Sequence, residues 1–389
     1  MGDASGGDAA AVRRAVKRLS FGASWEERAA AAAEVGRLAR SDERTKRALP
    51  ELGVVPLLVS MLVDAGAGAR AARMAAVRAL LELARGTHRN KVLIVKAGLL
   101  KKLPELTDDR DLARSHDLAL LLLSVSSLAN TDFPLSSAEL IPFLVATLSS
   151  SADDVATGTR LSCLAALRNL SANLAHVRAV AASGAVHALL ALSSLDDTTS
   201  ETTLGVLSDM AAASAAARRE MAENEAAPRA LVEAMARHES APCQEHATYV
   251  VMALAHDGTG AGRELMRRMR RLGAVQALLE VSLLGSPLAR SRAAKILQWF
   301  KEDGQNRIRA HSGPRTEASC SCHGSDGSLG DGDGGTEACR NTMDRIVKQS
   351  LDRNMKSIMR RATTSVDMTT NAKSTKLLEA SSSSKSLPC

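Results

Sequence analysis

Residues 52–58 read Leu52-Gly53-Val54-Val55-Pro56-Leu57-Leu58, and variants of this phrase return five times along the chain. They are Ala97-Gly-Leu-Leu-Lys-Lys-Leu103, Ala138-Glu-Leu-Ile-Pro-Phe-Leu144, Ser183-Gly-Ala-Val-His-Ala-Leu189, Asn224-Glu-Ala-Ala-Pro-Arg-Ala230 and Leu272-Gly-Ala-Val-Gln-Ala-Leu278. The second residue falls at 53, 98, 139, 184, 225 and 273, in steps of 45, 41, 45, 41 and 48. Each time Gly or Glu opens a helix. Pro56, Pro142 and Pro228 fall in its first turn, where the missing N–H costs nothing.

A second phrase, small-x-x-apolar-x-apolar, interleaves with the first as Ala79-Leu-Leu-Glu-Leu83, Val125-Ser-Ser-Leu128, Ala166-Leu-Arg-Asn-Leu170 and Val206-Leu-Ser-Asp-Met210. The residue before its last apolar position is Arg37, Glu82, Ser127, Asn169, Asp209 or Ala253, in steps of 45, 45, 42, 40 and 44. Two independent phrases sharing a period of about 40–47 residues predict stacked helical repeats. Composition agrees. The 389-residue chain is 45% hydrophobic but 2% aromatic, with four Phe, two Trp and one Tyr. Sheets favour β-branched and aromatic side chains, whereas this interior is built from Ala and Leu, which favour helix. The fold class is all-α. Each unit reads as a short helix (Asn90–Lys96), a Gly-marked turn, a second helix (Leu99–Leu106), a polar loop and a long third helix (Leu112–Ala129). Ser24-Trp-Glu-Glu27 forms a capping box that opens the first long helix.

Asn90-Lys-Val-Leu-Ile-Val-Lys-Ala-Gly98, Cys163-Leu-Ala-Ala-Leu-Arg-Asn-Leu170 and Gly53-Val-Val-Pro-Leu-Leu-Val-Ser-Met-Leu62 resemble the armadillo repeat. The resemblance covers residues 21–300 and implies a right-handed superhelical solenoid of about six to seven repeats, each leaning on its neighbours. Residues 28–62 are most similar to the armadillo half of plant U-box proteins. About 20 residues precede the array, too few for a U-box, so ligase activity by the chain alone is not expected.

What the resemblance implies about function is a concave groove lined by the third helices, which takes proteins or extended peptides. Its aligned positions are Arg37, Glu82, Ser127, Asn169, Asp209 and Ala253, with Arg78 and Tyr249 one turn earlier. Each is equally readable as a solvated polar residue on a helix face. Importin-like members carry a ladder of Asn with a Trp one turn earlier. Here only Asn169 keeps the Asn, and Ala165 stands where the Trp would, which argues against a nuclear-import adaptor.

The chain carries a net charge of +7, and its few aromatics cannot build stacking platforms for single-stranded nucleic acid. No specific nucleic-acid partner is expected. The densest basic run, Arg263-Glu-Leu-Met-Arg-Arg-Met-Arg-Arg271, is either a solvated helix face or a patch for an acidic partner formed by Arg267, Arg268, Arg270 and Arg271. Gly-x-Ser-x-Gly, phosphate-cradling Gly loops and His-Glu-x-x-His are missing from the sequence, so neither an enzyme nor a cofactor is expected. Asp108/Asp109, Asp153/Asp154 and Asp196/Asp197 precede helices and read as caps. Cys320-Ser-Cys-His323 with Cys339 has metal-ligand residue types without a zinc spacing. Six widely spaced Cys and no visible signal peptide suit a reducing compartment, in the cytoplasm or the nucleus.

Residues 1–20 are expected to form a flexible arm, 301–340 a Gly/Ser/Asp-rich disordered linker, and 363–389 a disordered Ser/Thr-rich tail. Between linker and tail, 341–362 read as an amphipathic helix. Arg345, Lys348, Arg353, Lys356, Arg360 and Arg361 stand against Asp344 and Asp352. Such a helix docks on a membrane surface, a partner groove or a calmodulin-like receptor, or folds back to cap the last repeat. As one of a set of ubiquitin-ligase components, the chain would act through a partner that supplies the missing U-box or RING.

Overall fold

Ser24 opens the first long helix of the array: its hydroxyl accepts from the Glu27 amide at 3.2 Å. Glu27 in turn accepts from the amide of Ala23, one residue upstream of the capping-box donor. The chain is described by a computed structural model at residues 4–311, apart from 65, 67–68, 108–109, 151–153 and 257–259. Twenty α-helices and no strand occur among these residues. The remaining linker, the helix expected over 341–362 with its six basic residues, the tail and the Cys320/Cys322/His323/Cys339 group lie outside the described residues, as do Asp108, Asp109 and Asp153.

Helices α1 (Ala4–Phe21) and α2 (Trp25–Ser41) lead the array. Two units of the expected kind follow: α3 (Glu43–Ala48), α4 (Val54–Ser60) and α5 (Ala69–Ala84), then α6 (His88–Lys96), α7 (Leu99–Thr107), the single turn α8 (Arg110–Ala113) and α9 (His116–Ser126). The next unit has only α10 (Leu140–Ser149) and α11 (Thr157–Ser171). Three complete units close the array: α12 (Leu174–Ala181), α13 (Val186–Leu192) and α14 (Asp197–Ala213); α15 (Ala215–Glu223), α16 (Ala227–Met235) and α17 (Ala241–His256); α18 (Gly260–Arg271), α19 (Ala274–Leu284) and α20 (Pro287–His311).

The phrase glycines make the turns. Gly53, Gly98, Gly184 and Gly273 all sit in the left-handed region, with φ between 74° and 96°, where a Cβ would be strained. Glu139, which takes the glycine's place at the fourth unit, stays right-handed at φ −94°. The first helix is missing there as well, and Thr131–Glu139 runs without regular structure.

The long helices α2, α5, α9, α11, α14 and α17 pack successively side by side, as do the second helices from α7 through α10, α13 and α16 to α19. Small residues permit the close approach. A Cβ on Gly36 would meet the Ala79 Cα at 3.3 Å, so α2 and α5 touch almost backbone to backbone. One continuous core of Ala, Leu and Val results, in which Phe143 and Phe300 are the buried aromatics.

Three boundaries differ from the sequence reading. Residues 4–20 are not an arm: α1 packs on α2 and buries Ala15 and Leu19, because its Ala/Val/Leu stripe finds a partner only in the folded array. The third helix of the second full unit breaks at Arg114-Ser115 into α8 and α9, and ends in a 3₁₀ turn over Ser127–Asn130. The linker expected from 301 begins later, since α20 continues to His311. Residues 301–311 hold one Gly and no Pro, whereas Ser312-Gly-Pro314 follows directly.

A polar ladder on the third helices

Asn90 and Asn173 tie the array together internally. Asn90 is buried and donates from Nδ2 to the carbonyls of Leu83 at 2.9 Å and Lys46 at 3.2 Å, tying three elements together. Asn173 caps α12 through Ala175 and donates to the Ala129 carbonyl of the preceding unit. Asp196 caps α14 by accepting from both the amide and the hydroxyl of Thr199, and these bonds hold its carboxyl below the usual range.

The third-helix positions form a different system, in which each repeat bonds to the next. Arg40 of α2 reaches Glu82 of α5 at 2.8 Å, and Arg85 reaches the same oxygen at 3.0 Å. Arg78 Nε donates to Asp117 of α9 at 2.8 Å. Asn169 of α11 donates to the Ser126 hydroxyl at 3.0 Å, and Lys91 to that of Ser127 at 2.9 Å. Arg168 donates to Asp209 of α14 and, at 3.0 Å, to the Gly205 carbonyl. The approach is close: a Cβ on Gly205 would stand 3.0 Å from the Arg168 Nε. Ser171 donates to Asp209 at 2.8 Å. Ser208 meets His246 Nδ1 of α17 at 3.1 Å, while Ser286 and Arg292 at the start of α20 bond to Glu245, Ser286 to its carboxylate and Arg292 to its carbonyl. The Arg292 guanidinium lies 5.0 Å from the Tyr249 ring centroid. Burial lowers the pKa of His246, and Arg168 lowers it further, so the imidazole is held neutral.

Of the residues aligned by sequence, Arg78, Glu82, Ser127, Asn169, Asp209 and Tyr249 thus all engage a neighbouring element, and Arg37 pairs with Glu34 on its own helix at 2.6 Å. Glu82 is not a freely presented groove carboxylate. It is 5% exposed, clamped between two arginines. The basic run on α18 is divided rather than gathered. Arg267 and Arg271 share Glu264, Arg268 holds the carbonyls of Asn224 and Glu225, and Arg270 stacks on Phe300 and donates to its carbonyl. Only the Arg268 bonds reach the preceding unit; the others lie within the last one.

Beyond Asp209 the face opens. Ala212 and Ala253 stand where earlier repeats carry long polar side chains, and a depression of about 290 Å³ forms between α14, α15, α17 and α20. Arg218, Tyr249, Met252, His256 and Lys295 complete its walls. Sequence alignment missed Arg218 and Lys295, which come from a first helix and from the last third helix; the break in the polar register at Ala253 is the signal that could have found them.

No cluster of His, Cys, Asp or Glu among the described residues has metal-site geometry. Burial pushes the Cys163 thiol up to about 12, which keeps it protonated and a poor nucleophile. No single helix among the described residues is long and apolar enough to cross a membrane.

No protein-family model and no curated protein matches the sequence. Solved structures do. A designed armadillo repeat protein matches at 20% identity and TM-score 0.50, over 62% of this chain and 98% of its own. A computationally designed armadillo repeat protein for modular peptide recognition matches at 18% identity and TM-score 0.51, again over 62% of this chain and 98% of its own. An engineered protein matches at 18% identity and TM-score 0.56, over 79% of this chain and 75% of its own. Identity this low speaks to architecture alone, and the architecture is that of an armadillo-repeat solenoid.

Proposed function

We propose that this chain is a non-enzymatic scaffold that binds extended peptide segments of partner proteins along the face of its third helices. The observation that carries the reading is the polar ladder. Glu82, Asn169 and Asp209, at the aligned position of three units, are each bonded to the preceding long helix, which presents a peptide with fixed groups of defined spacing. Preorganisation of this kind lowers the ordering cost of binding. Peptide recognition by a designed protein of the same architecture supports it.

The test is display selection of random dodecapeptides on the immobilised full chain. Enriched peptides are expected to lose binding to an Ala165→Trp/Ala253→Trp variant, which crowds the face without touching the ladder, and to keep it with Ala191→Trp on α13. Failure to enrich any peptide, or loss with Ala191→Trp alone, contradicts the reading.

The likeness of residues 28–62 to U-box armadillo arrays supports placing the partner among ubiquitin-ligase components, in the cytoplasm or nucleus. A co-purified ligase partner would be required for ubiquitin transfer, and transfer by the purified chain alone would refute this placement. The basic segment 341–362 adds a second contact, for a membrane surface or partner, which flotation with anionic liposomes with and without that segment would measure.

A further inference from the structure

Ser20 stands in the last turn of α1, behind a run of cations. Arg13, Arg14, Lys17 and Arg18 precede it and Phe21 follows. The four cations are exposed, and Phe21 is 80% exposed. Among residues 4–311 no other Ser or Thr has a cation both two and three positions before it. The spacing returns at Arg360-Arg361-Ala362-Thr363, outside the described residues. The Ser20 hydroxyl is half-buried and donates to the Val16 carbonyl at 3.0 Å. Directly afterwards the chain leaves the helix, through Gly22 and a bend to Ser24.

We propose that Ser20 is a phosphorylation site for a protein kinase of the class that selects cations ahead of its target, and that the phosphate loosens α1 from the array. Such a kinase holds its substrate by ion pairs to the residues two and three before the hydroxyl and by an apolar seat for the residue after it. Arg18, Lys17 and Phe21 supply these contacts. The kinase takes its substrate as an extended strand, so the last turn of α1 opens first, and helix ends open at low free energy. In the transfer the Ser20 Oγ attacks the γ-phosphorus of ATP. The bond from that phosphorus to the β–γ bridging oxygen breaks, ADP leaves, and the hydroxyl proton passes to the kinase's base.

A phosphate here works against the helix. It carries roughly −2 charge and stands beside the carbonyl end of α1, the negative end of the helix dipole. The bond to the Val16 carbonyl is lost, because the ester oxygen has no hydrogen to donate. Glu27, bonded to the Ala23 amide, adds a carboxylate just past the helix end. Lys17 and Arg18 offset part of this, but exposed pairs contribute little. What the loosening uncovers is the surface that Ala15 and Leu19 bury on α2.

The test incubates the full chain with ATP, magnesium and the catalytic subunit of cyclic-AMP-dependent protein kinase, and places the phosphate by tandem mass spectrometry. Ser20 is expected to be modified, and to be modified at least about tenfold more slowly in a Lys17→Ala/Arg18→Ala variant. Both substitutions are at exposed positions of α1, and thermal melting checks that the variant folds. A chain unmodified at Ser20 while Thr363 or a basic reference peptide takes phosphate overturns the site, as does an unchanged rate at Ser20 in the folded variant. Hydrogen exchange then compares the phosphorylated chain with Ser20→Ala carried through the same reaction. Amides of residues 12–22 should exchange faster in the phosphorylated chain, with those of α14 unchanged. Equal exchange over residues 12–22 overturns the loosening and leaves the modification standing.

Discussion

The two ends of the third-helix face use one scaffold position in opposite ways. From α2 to α9 charges neutralise each other across the repeat boundary, Arg40 on Glu82 and Arg78 on Asp117, with Arg85 joining Glu82 from its own unit. From α14 to α20 the ladder retreats toward Ser208–His246 and Ser286–Glu245, and alanines leave a basic hollow beside it. The period dictates where a side chain stands, but the residue one period away dictates whether it is available. The face is therefore open where the ladder has a gap.

Packing offers the strongest way to break this contrast. Gly36→Leu would drive a side chain into the Ala79 backbone and separate α2 from α5, costing roughly 1–3 kcal/mol in urea unfolding. Ala253→Leu, entering the hollow, should change stability by no more than about 0.5 kcal/mol. Equal losses at both positions would remove the distinction between a filled and an open end.

Removing Glu82 by Glu82→Ala leaves two guanidiniums without their shared acceptor and should cost about 1–2 kcal/mol, whereas Arg40→Ala alone should cost only about a few tenths of a kcal/mol, because the Arg40 side chain is 71% exposed. A double-mutant cycle measures the coupling. Ser24→Ala and Ser286→Ala remove corresponding caps at the two ends, each worth about 1 kcal/mol; Ser286→Ala should exceed Ser24→Ala, because Ser286 also binds Glu245.

The smallest expected effect is on pH dependence. The folded state holds His246 neutral, with a pKa below its ordinary 6.5, so the unfolded chain binds more protons as the pH falls through 6.5. The stability carried by neutral His246 is complete above that value and is lost below it. His246→Gln should flatten the acid side of the stability profile while Asn169→Ala leaves its slope unchanged.

Much of this was legible in the sequence. The six-fold phrase located the turns, and four of its glycines adopt the left-handed backbone that the phrase requires. Asn169 and Asp209 both take part in bonds between third helices. What stayed hidden depends on partners far away in the chain. Glu82 is buried by Arg40, 42 residues earlier, which no local pattern records. Helix α1 carries Gly6 and Gly7 near its start and gains its reason to fold from packing on α2. The first helix is missing between 131 and 139, which the phrase does not explain, since Glu225 replaces the glycine as Glu139 does and α15 still forms ahead of it. Arg218 and Lys295 belong to elements outside the aligned register.

The central claim is that a partner peptide lies on the third-helix face and enters the hollow at its C-terminal end. Photocrosslinking tests it most directly, with benzoylphenylalanine placed singly at Ala253 of α17 and at Ala191 of α13 in the full chain, and the selected peptide added. Crosslinks at position 253, competed by unlabelled peptide and missing at 191, are the expected result. Crosslinks at 191 with none at 253 would contradict it.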